Sequence, residues 1–538
     1  MKKQISFEEV LQYVKKLPYS KFREVIDEYS KKTGQDFSSE INALTVSSLE
    51  KHLEQLGVNS ACPKCGETDG IPKYGHRNHV QVFKCKKCGH KFSRFSGTVL
   101  EKSRWHWDIW IRMLQMTINN QSIDNIVHVL QHDYGCEGIN HKTVWMWRMK
   151  LIHALASLPM PKLTGIVQVD ETFIRESQKG SKKLYSTLGS DVKREPRYGR
   201  RPSLLGSMGP EFATVVTAID NRGYCVCKVS GLGRMTTEMF VDLFDEHFEE
   251  PACICSDANS VYDAYCELRN IPHYEKPSNY LTVLTNNGYV TPDRTNPATA
   301  AATRANNEKI LERLYEQELI DRITNRGPLS YEEFEEIKKT KGLSLARVNE
   351  LHSEIKKYLY TQMTNVSSKY LQDYIGFFTY IHNWKVSHGH QPASLKDAEE
   401  IFTEILHARV NYTVKAIKAT VFSLPKPTGR YIHLLKNATE KAREAVKNIY
   451  FKFNSEDGVR EFNKREYLLD QPKAKLYRIA KECGFTKYKK LALWSLVSKI
   501  LKEPKIDEII YKLLAEDRSY KLDEEDVVAL RSRAYAGT

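Results

Sequence analysis

Three acidic residues lie on apolar stretches where their side chains would be held rigidly. Asp170 and Glu171 interrupt residues 165–174, whose β-branched and aromatic composition predicts a strand. Asp257 ends a second apolar run, residues 252–257. A carboxylate on a well-packed strand suits metal binding, since its oxygen atoms are fixed in place. The alternative is that these acids are solvated residues on an edge strand.

Two Cys-x-x-Cys pairs, each followed by glycine, form the strongest local motif in the chain. Residues 66–84 separate the pairs, and four thiolates at this spacing can close a tetrahedral Zn²⁺ site. Sulfur would fill all four positions, so the predicted site is structural. We expect residues 58–98 to form a zinc ribbon with a basic surface, and His90 to be a surface residue. The predicted zinc ligands are Cys62, Cys65, Cys85 and Cys88.

The composition is that of a basic protein, with 538 residues, a formal net charge of +14 and a pI near 9.0. Lys and Arg gain affinity for nucleic acid by releasing counterions, so a phosphate-rich partner is favoured over a generic basic protein. Charge alone does not distinguish DNA from RNA. The sequence has no secretory leader and no apolar run that could span a bilayer. We therefore expect no membrane partner. Scattered cysteines in apolar runs are typical of a reduced, cytoplasmic protein.

Two helical regions are expected before the first acidic strand. Residues 1–57 have apolar residues at helix spacing and are expected to form a packing cap, with an accessory DNA-binding or dimer role as the alternative. Residues 99–160 predict a helix-turn-helix, in which Ser122 caps one helix and a second helix starts near Asn140. The predicted outer face of the second helix carries Lys142, Thr143, Met146 and Lys150. This face would contact a DNA major groove, or, in the alternative, pack against another helix.

The central region, residues 161–390, predicts a mixed sheet. Its first strand (167–174) precedes a basic loop (175–210), which we expect a polyanion to order. The remaining predicted elements are a hairpin (213–219 and 224–229) turning at Asp220, a helix (237–248), a strand (252–257), a helix (261–268) and a short strand (272–274).

This order of elements is that of a ribonuclease-H-like sheet. In that topology the first strand and the strand after the first helix are neighbours, so Asp170 and Asp257 would face one another. The adjacency follows from the predicted fold, because the spacing in the sequence does not show it.

A polar segment, residues 277–342, predicts an insertion that includes a helix over 306–323. A long amphipathic helix over 345–363 follows, and it carries Asn349 and Lys356. Residues 391–538 are expected to be all-helical. Within them, residues 475–485 weakly suggest a DNA-binding helical hairpin, although a packing or partner-binding tail is the simpler interpretation.

Together these motifs resemble insertion-sequence transposases of the ISXO-two-like group, within the DDE superfamily. The resemblance covers roughly residues 58–385 and combines the zinc ribbon, the Val-Asp-Glu-Thr strand, the Ser-Asp-Ala strand end and the Val-Asn-x-Leu-His-Ser-x-Ile-Lys helix. The sequence departs from the family pattern in a long segment after the second acid, a neutral third ligand and an extra tail. The family's catalytic residues correspond here to Asp170, Asp257, Asn349 and Lys356.

The resemblance implies a multidomain α/β protein that transfers phosphoryl groups on DNA. Two Mg²⁺ or Mn²⁺ ions about 4 Å apart would activate the attacking oxygen and stabilise the leaving one. Asp170 would bridge both ions, Asp257 would bind one and the amide oxygen of Asn349 the other, with Glu350 and Glu354 as rivals for the third position. Water would release a 3′-hydroxyl at the transposon end, which would attack target DNA, and Lys356 would contact a phosphate.

The implied partners are the double-stranded DNA of transposon ends and target, bound by a homodimer or higher oligomer associated with the nucleoid. Two alternatives remain open. One is a transposase-derived DNA-binding regulator without catalysis, and the other is a ribonuclease-H-like nuclease that cuts but does not join.

Overall fold

A computed structural model describes residues 38–180 and 211–516 apart from short gaps, with isolated residues between 21 and 34. The gaps are residues 104, 258, 277–279, 293–295, 318, 321, 326, 339–342, 424, 441, 444–449, 456–457, 470, 492 and 502. The predicted basic loop falls largely outside the described residues, and with it Lys182, Lys183, Lys193, Arg194, Arg197, Arg200 and Arg201.

The described chain is a mixed α/β structure with many helices. Up to the second acidic strand its elements are α1 (Ser38–Gln55), β1 (Lys73–Arg77), β2 (Val80–Lys84), β3 (Lys91–Phe92), α2 (Trp107–Ile118), α3 (Ile123–His132), α4 (His141–Ala156), β4 (Leu163–Arg175), β5 (Phe212–Asp220), β6 (Cys225–Leu232), α5 (Thr237–Phe244) and β7 (Phe248–Asp257).

Helices predominate in the rest of the chain. The elements are α6 (Ser260–Arg269), β8 (His273–Lys276), α7 (Tyr280–Asn286), α8 (Pro297–Glu316), β9 (Arg322–Asn325), α9 (Tyr331–Lys338), α10 (Ala346–Lys357), α11 (Leu371–His388), α12 (Leu395–Ala408), α13 (Val414–Ala419), α14 (Arg430–Asn437), β10 (Tyr450–Ser455), β11 (Gly458–Asn463), α15 (Lys464–Leu469), α16 (Lys473–Glu482), α17 (Leu493–Ile500) and α18 (Ile506–Glu516).

The chain divides into two compact units. The first contains residues up to 163, 171–233 and 348–424. The second contains residues 164–170, 234–347 and those from 425 onward. Because this boundary falls inside β4 and α10, each of these two elements has residues in both units.

The larger sheet has the strand order β6-β5-β4-β7-β8-β9. The predicted hairpin is confirmed, since β5 pairs antiparallel with β6. Asp220 is a turn residue as expected, because its Oδ1 accepts hydrogen bonds from the backbone N–H groups of Arg222 and Tyr224 at 2.9 and 3.1 Å. On the other side, β7 pairs parallel with β8, and β8 pairs antiparallel with β9. The sheet is therefore mixed.

Strand β9 corrects the expectation that residues 277–342 are only an inserted polar segment. It pairs Ile323 with Tyr274 and so adds a sixth strand to the sheet. The side-chain amide of Asn325 donates to the carbonyls of Cys266 and Ile271 at 3.3 Å each, which fixes the strand end. A strand of four residues is too short to show a periodic apolar pattern. The helix expected over 306–323 is instead α8, which begins and ends earlier.

The expectation that the C-terminal region is all-helical is wrong. Strands β10 and β11 form an antiparallel hairpin that pairs Ser455 with Gly458. Phe451 and Phe453 alternate along β10 and are both buried. They belong to a hydrophobic cluster whose members all lie between residues 451 and 514. The dipeptide Asp457-Gly458 is a strong hairpin signal, and the helical interpretation overlooked it.

The expected outer face of α4 is only partly accessible. Met146 is buried, and burial lowers the pKa of Lys150. Helix α11 packs against α4, and an added Cβ atom on Gly376 would lie 2.5 Å from the Cβ atom of Ala156. Lys142 in the first turn of α4 is exposed, and Thr143 and Lys150 are half-buried. The predicted helices themselves are present, and Ser122 and Asn140 cap them through their side chains.

Among the described residues, no helix is both long enough and apolar enough to cross a membrane. None of the eleven cysteines forms a disulfide bond. Outside the two pairs, Cys483 is half-buried and the other six cysteines are buried, as expected for small apolar residues.

Candidate functional site

The structure brings together the carboxyl groups of Asp170, Glu171 and Asp257. One oxygen atom from each lies within 4.8 Å of the others, and all three residues are half-buried. Asp170 lies in the middle of β4 and Asp257 is the last residue of β7, the neighbouring strand. The expected approach of Asp170 to Asp257 is therefore present in the structure. Glu171, the other member of the acidic pair in the sequence, joins them.

Asp257 is held where the strand gives way to a helix. The backbone N–H of Asn259 donates to Asp257 Oδ1 at 3.1 Å, and the Asn259 side chain caps α6 by accepting from Val261. The preceding residue, Ser256, is buried, and its Oγ lies 2.8 Å from His273 Nε2 on β8. Burial raises the pKa of Asp257 above its ordinary value, although the Asn259 N–H favours the ionised form.

The donor set of this cluster fits a hard divalent cation. Mg²⁺ and Mn²⁺ prefer oxygen ligands, and carboxylates are the charged oxygen donors that proteins supply. Three acids this close repel one another when they are ionised, and a bound cation relieves that repulsion. The residues present could therefore hold such an ion.

The other two predicted catalytic residues lie on α10. The side chains of Asn349 and Lys356 are both exposed, as is that of Glu350. Glu354 is half-buried with its Oε2 3.6 Å from His382 Nδ1, and this contact lowers the pKa of Glu354. A carboxylate paired with histidine is the poorer candidate for a metal ligand. The roles of Asn349 and Lys356 remain predictions.

The four cysteines of the predicted zinc site form a second cluster, in which their Sγ atoms all lie within 4.8 Å of one another. The Sγ atoms of Cys62 and Cys88 are 3.6 Å apart, as are those of Cys65 and Cys85. A tetrahedron with Zn–S bonds of about 2.3 Å has S···S edges of about 3.8 Å, so the cluster could hold zinc. His90 is outside it, half-buried with its ring parallel to that of Phe92.

The strands around this cluster match the sequence interpretation. The order β1-β2-β3 is antiparallel throughout. The buried core beneath them consists of Cys62, Cys85 and Phe92, with Ile71, Phe83 and Cys88 packed against it. Such a small core contributes little stability without a metal, so the cysteines are the main feature that could hold these strands together.

No family model matches this chain. Over 120 residues, 22% of its length, the chain is 28% identical to an uncharacterized protein in transposable element ISH50 of Halobacterium salinarum. The matched stretch spans 38% of that protein. Over this part, the chain is similar to a protein that a mobile element encodes.

Proposed function

We propose that this chain is an insertion-sequence DNA transposase of the DDE type, which cuts and joins DNA at a divalent-metal site. The observation that carries the proposal is the convergence on adjacent strands of Asp170 and Asp257, which are 87 positions apart (257 − 170). The strand order β6-β5-β4-β7-β8, with an antiparallel hairpin and a parallel pair, supports a ribonuclease-H-like core.

In this proposal the chain's residues bind and orient the reacting groups. Asp170 and Asp257 would hold the ions with Glu171 close by, and the amide oxygen of Asn349 would complete the oxygen donors. The bound divalent ions would polarise the scissile phosphate and lower the pKa of the attacking water. Lys356 would contact a DNA phosphate and so align the strand. The half-buried setting of the carboxylates limits competing water.

The proposed partner is double-stranded DNA, bound by a homodimer or a higher oligomer. The ribbon offers a surface suited to a polyanion, because Tyr74 is exposed and the ammonium groups of Lys91 and Lys84 lie 4.1 and 5.4 Å from its ring centroid. Lys73 and Arg77 on the same strand are exposed as well. Aromatic and cationic side chains together provide stacking and phosphate contacts. Zinc in the cysteine cluster would maintain this surface.

The test is a strand-transfer assay with the full chain. The substrate would be linear DNA that carries the sequences flanking the gene, with a supercoiled plasmid as target and Mg²⁺ or Mn²⁺ in the buffer. Wild-type protein should give joined products. Asp170→Ala and Asp257→Ala should each lower the rate by at least about 10³-fold, since each removes a metal ligand. Glu249→Ala is the control, because Glu249 is an exposed acid on the same strand as Asp257.

Each alternative function predicts a different product. Cleavage without joined products would indicate a nuclease. DNA binding with no metal-dependent product in the wild-type protein would indicate a regulator. Equal activity of wild type and Asp170→Ala would contradict the proposed site.

A further inference from the structure

Gln168 is a buried polar residue beside the acidic cluster, only 3% exposed. It lies on β4 two positions before Asp170. Side chains at positions i and i+2 of a strand project to the same side of a sheet. The face of β4 that carries Asp170 therefore also carries a buried amide.

The oxygen and the nitrogen of the Gln168 side-chain amide both form hydrogen bonds with residues at the start of α10. Gln168 Oε1 accepts from the backbone N–H of Arg347 at 3.0 Å, and Gln168 Nε2 donates to Ser344 Oγ at 3.2 Å. Ser344 Oγ also accepts from the backbone N–H of Ala346 at 3.4 Å. The first N–H groups of a helix have no partner within it, so Gln168 and Ser344 act as a cap that includes a strand residue.

We infer that Gln168 is a positioning residue, which fixes the start of α10 to the strand that carries Asp170. The inference rests on the proposed function, in which Asn349 supplies a metal ligand. Asn349 lies two residues after Arg347 on the same helix, so the Gln168 cap sets the rotation and height of its backbone.

The geometric tolerances explain why this anchor matters. A helix advances about 1.5 Å and turns about 100° per residue. Metal–oxygen distances are maintained to within about 0.2 Å. Even a shift of a fraction of one residue at the start of α10 would therefore move the Asn349 amide out of the range for ligation. A cap provided by the neighbouring loop alone would not tie the helix to the metal-binding strand.

The experiment measures metal binding directly, in the full chain with its zinc in place. Free Mn²⁺ is titrated by its electron paramagnetic resonance signal for wild type and Gln168→Met, which keeps the size of the side chain but removes both hydrogen bonds. We expect about tenfold weaker Mn²⁺ binding in the variant, the effect usual for loss of a residue that orients a ligand. The apparent Mg²⁺ requirement of strand transfer should rise by a similar factor.

Gln372→Met is the matched control. The Gln372 side chain accepts from the backbone N–H of Val229 at 2.8 Å, so this variant also loses a glutamine–backbone hydrogen bond. Both variants should lower the urea midpoint, but only Gln168→Met should change Mn²⁺ affinity. Ser344→Ala removes one of the two Gln168 bonds and should weaken Mn²⁺ binding by less than Gln168→Met. If Gln168→Met does not fold, the Mn²⁺ affinity of Ser344→Ala is compared with that of wild type instead.

Two results would overturn the inference in distinguishable ways. If Gln168→Met and Ser344→Ala bind Mn²⁺ as wild type does while their urea midpoints fall, Gln168 is only structural, and the proposed function stands. If wild type and Asp170→Ala bind Mn²⁺ equally, the acidic cluster is not a metal site, and both the proposed function and the role of Gln168 are wrong.

Discussion

Asp257 combines two roles that conflict when no metal is bound. Its carboxyl group lies within 4.8 Å of two other acidic oxygens, and burial raises its pKa. Desolvation therefore disfavours the ionised form. If Asp257 is a metal ligand as proposed, its charge lowers the stability of the metal-free protein, as is common at functional sites.

Replacing Asp257 by Asn should stabilise the metal-free protein while abolishing activity. A group with a raised pKa in the folded state stabilises below its unfolded-state pKa, and that contribution is lost as pH rises through the folded-state value. Wild type should therefore lose stability from about pH 4 upward relative to Asp257→Asn. We expect a gain of about 1 kcal/mol in the variant at pH 7, measured by urea unfolding without added Mg²⁺ or Mn²⁺.

Added Mn²⁺ provides the control for this prediction. If the acidic cluster is a metal site as proposed, the ion should bind folded wild type and raise its unfolding free energy, so the advantage of the variant should disappear or reverse. A variant that is less stable than wild type without divalent ions would contradict the account of the acidic cluster.

The sequence predicted the charged site residues better than the neutral ones. Asp170 and Asp257 were identifiable because each is an acid within or at the end of an apolar run, and the predicted fold placed them together. Glu171 was noted with Asp170 as an acidic pair, but no catalytic role was predicted for it. Gln168 has no sequence signal, since a neutral amide becomes informative only when its hydrogen-bond partners are known.

At the scale of elements, the close contact between α4 and α11 depends on Gly376, which has no Cβ atom. An added Cβ atom on Gly376 would lie 2.5 Å from the Cβ and 2.8 Å from the Cα of Ala156, so the helices must separate to accept it. Gly→Ala within a helix normally gains up to about 1 kcal/mol. Overpacking costs about 1–3 kcal/mol, so the steric cost should exceed the gain in helix propensity.

Gly376→Ala should therefore lower the free energy of unfolding by about 1–2 kcal/mol. Urea denaturation measures this change. The double variant Gly376→Ala with Ala156→Gly should recover part of the loss, because it moves the methyl group from one helix to the other. Stabilisation by Gly376→Ala alone would show that the helices are not in close contact.

The start of α12 is a capping box whose strength depends on pH. Asp397 Oδ2 accepts from the backbone N–H groups of Ala393 and Ser394 at 3.0 and 2.9 Å, and Ser394 Oγ accepts from the Asp397 N–H at 3.1 Å. The two N–H donors hold the pKa of Asp397 well below its ordinary value of 3.8.

Because the folded-state pKa is depressed, this carboxylate stabilises the protein above its unfolded-state pKa, and that contribution is lost as pH falls. Asp397→Ala should cost about 1 kcal/mol at pH 7. The difference from wild type should shrink between pH 5 and pH 3, as urea unfolding at several pH values would show. A difference that does not change with pH would exclude a role for the charge.

Long elements with strong periodic patterns were predictable, and short or covered ones were not. The β5–β6 hairpin and the caps at Ser122 and Asn140 follow from local chemistry that one stretch of sequence contains. The burial of Met146 depends on tertiary packing, so no local pattern on α4 could reveal it. Strand β9 forms only because β8 offers it a hydrogen-bonding edge.

At the scale of the whole molecule, the predicted zinc ribbon should depend on the proposed zinc more than the rest of the chain does. The hydrophobic cluster at its cysteines has three buried members, Cys62, Cys85 and Phe92. The helices of the first unit bury many large side chains of their own, Trp110 and Phe402 among them. A core as small as that of the ribbon rarely supports a fold without a metal or a disulfide.

Removing zinc with a chelator should therefore unfold the ribbon selectively. Amide hydrogens of β1 and β2 should lose protection in hydrogen-exchange mass spectrometry, while those of α4 and α11 should keep it. Cys65→Ser should give the same pattern without a chelator, since it removes one ligand. Unchanged protection in β1 and β2 after the metal is lost would show that the strands are stable without it.

The C-terminal hydrophobic cluster has a consequence for how the chain acquires its structure. All of its buried members lie between Phe451 and Leu514, whereas the larger sheet joins strands spread from Leu163 to Asn325. Contacts between residues close in sequence form sooner, because shorter loops must be closed. After dilution from denaturant, pulse-labelled amides of β10 and β11 should become protected before those of β4 and β7. During synthesis on the ribosome, this segment would fold soon after all of it has emerged.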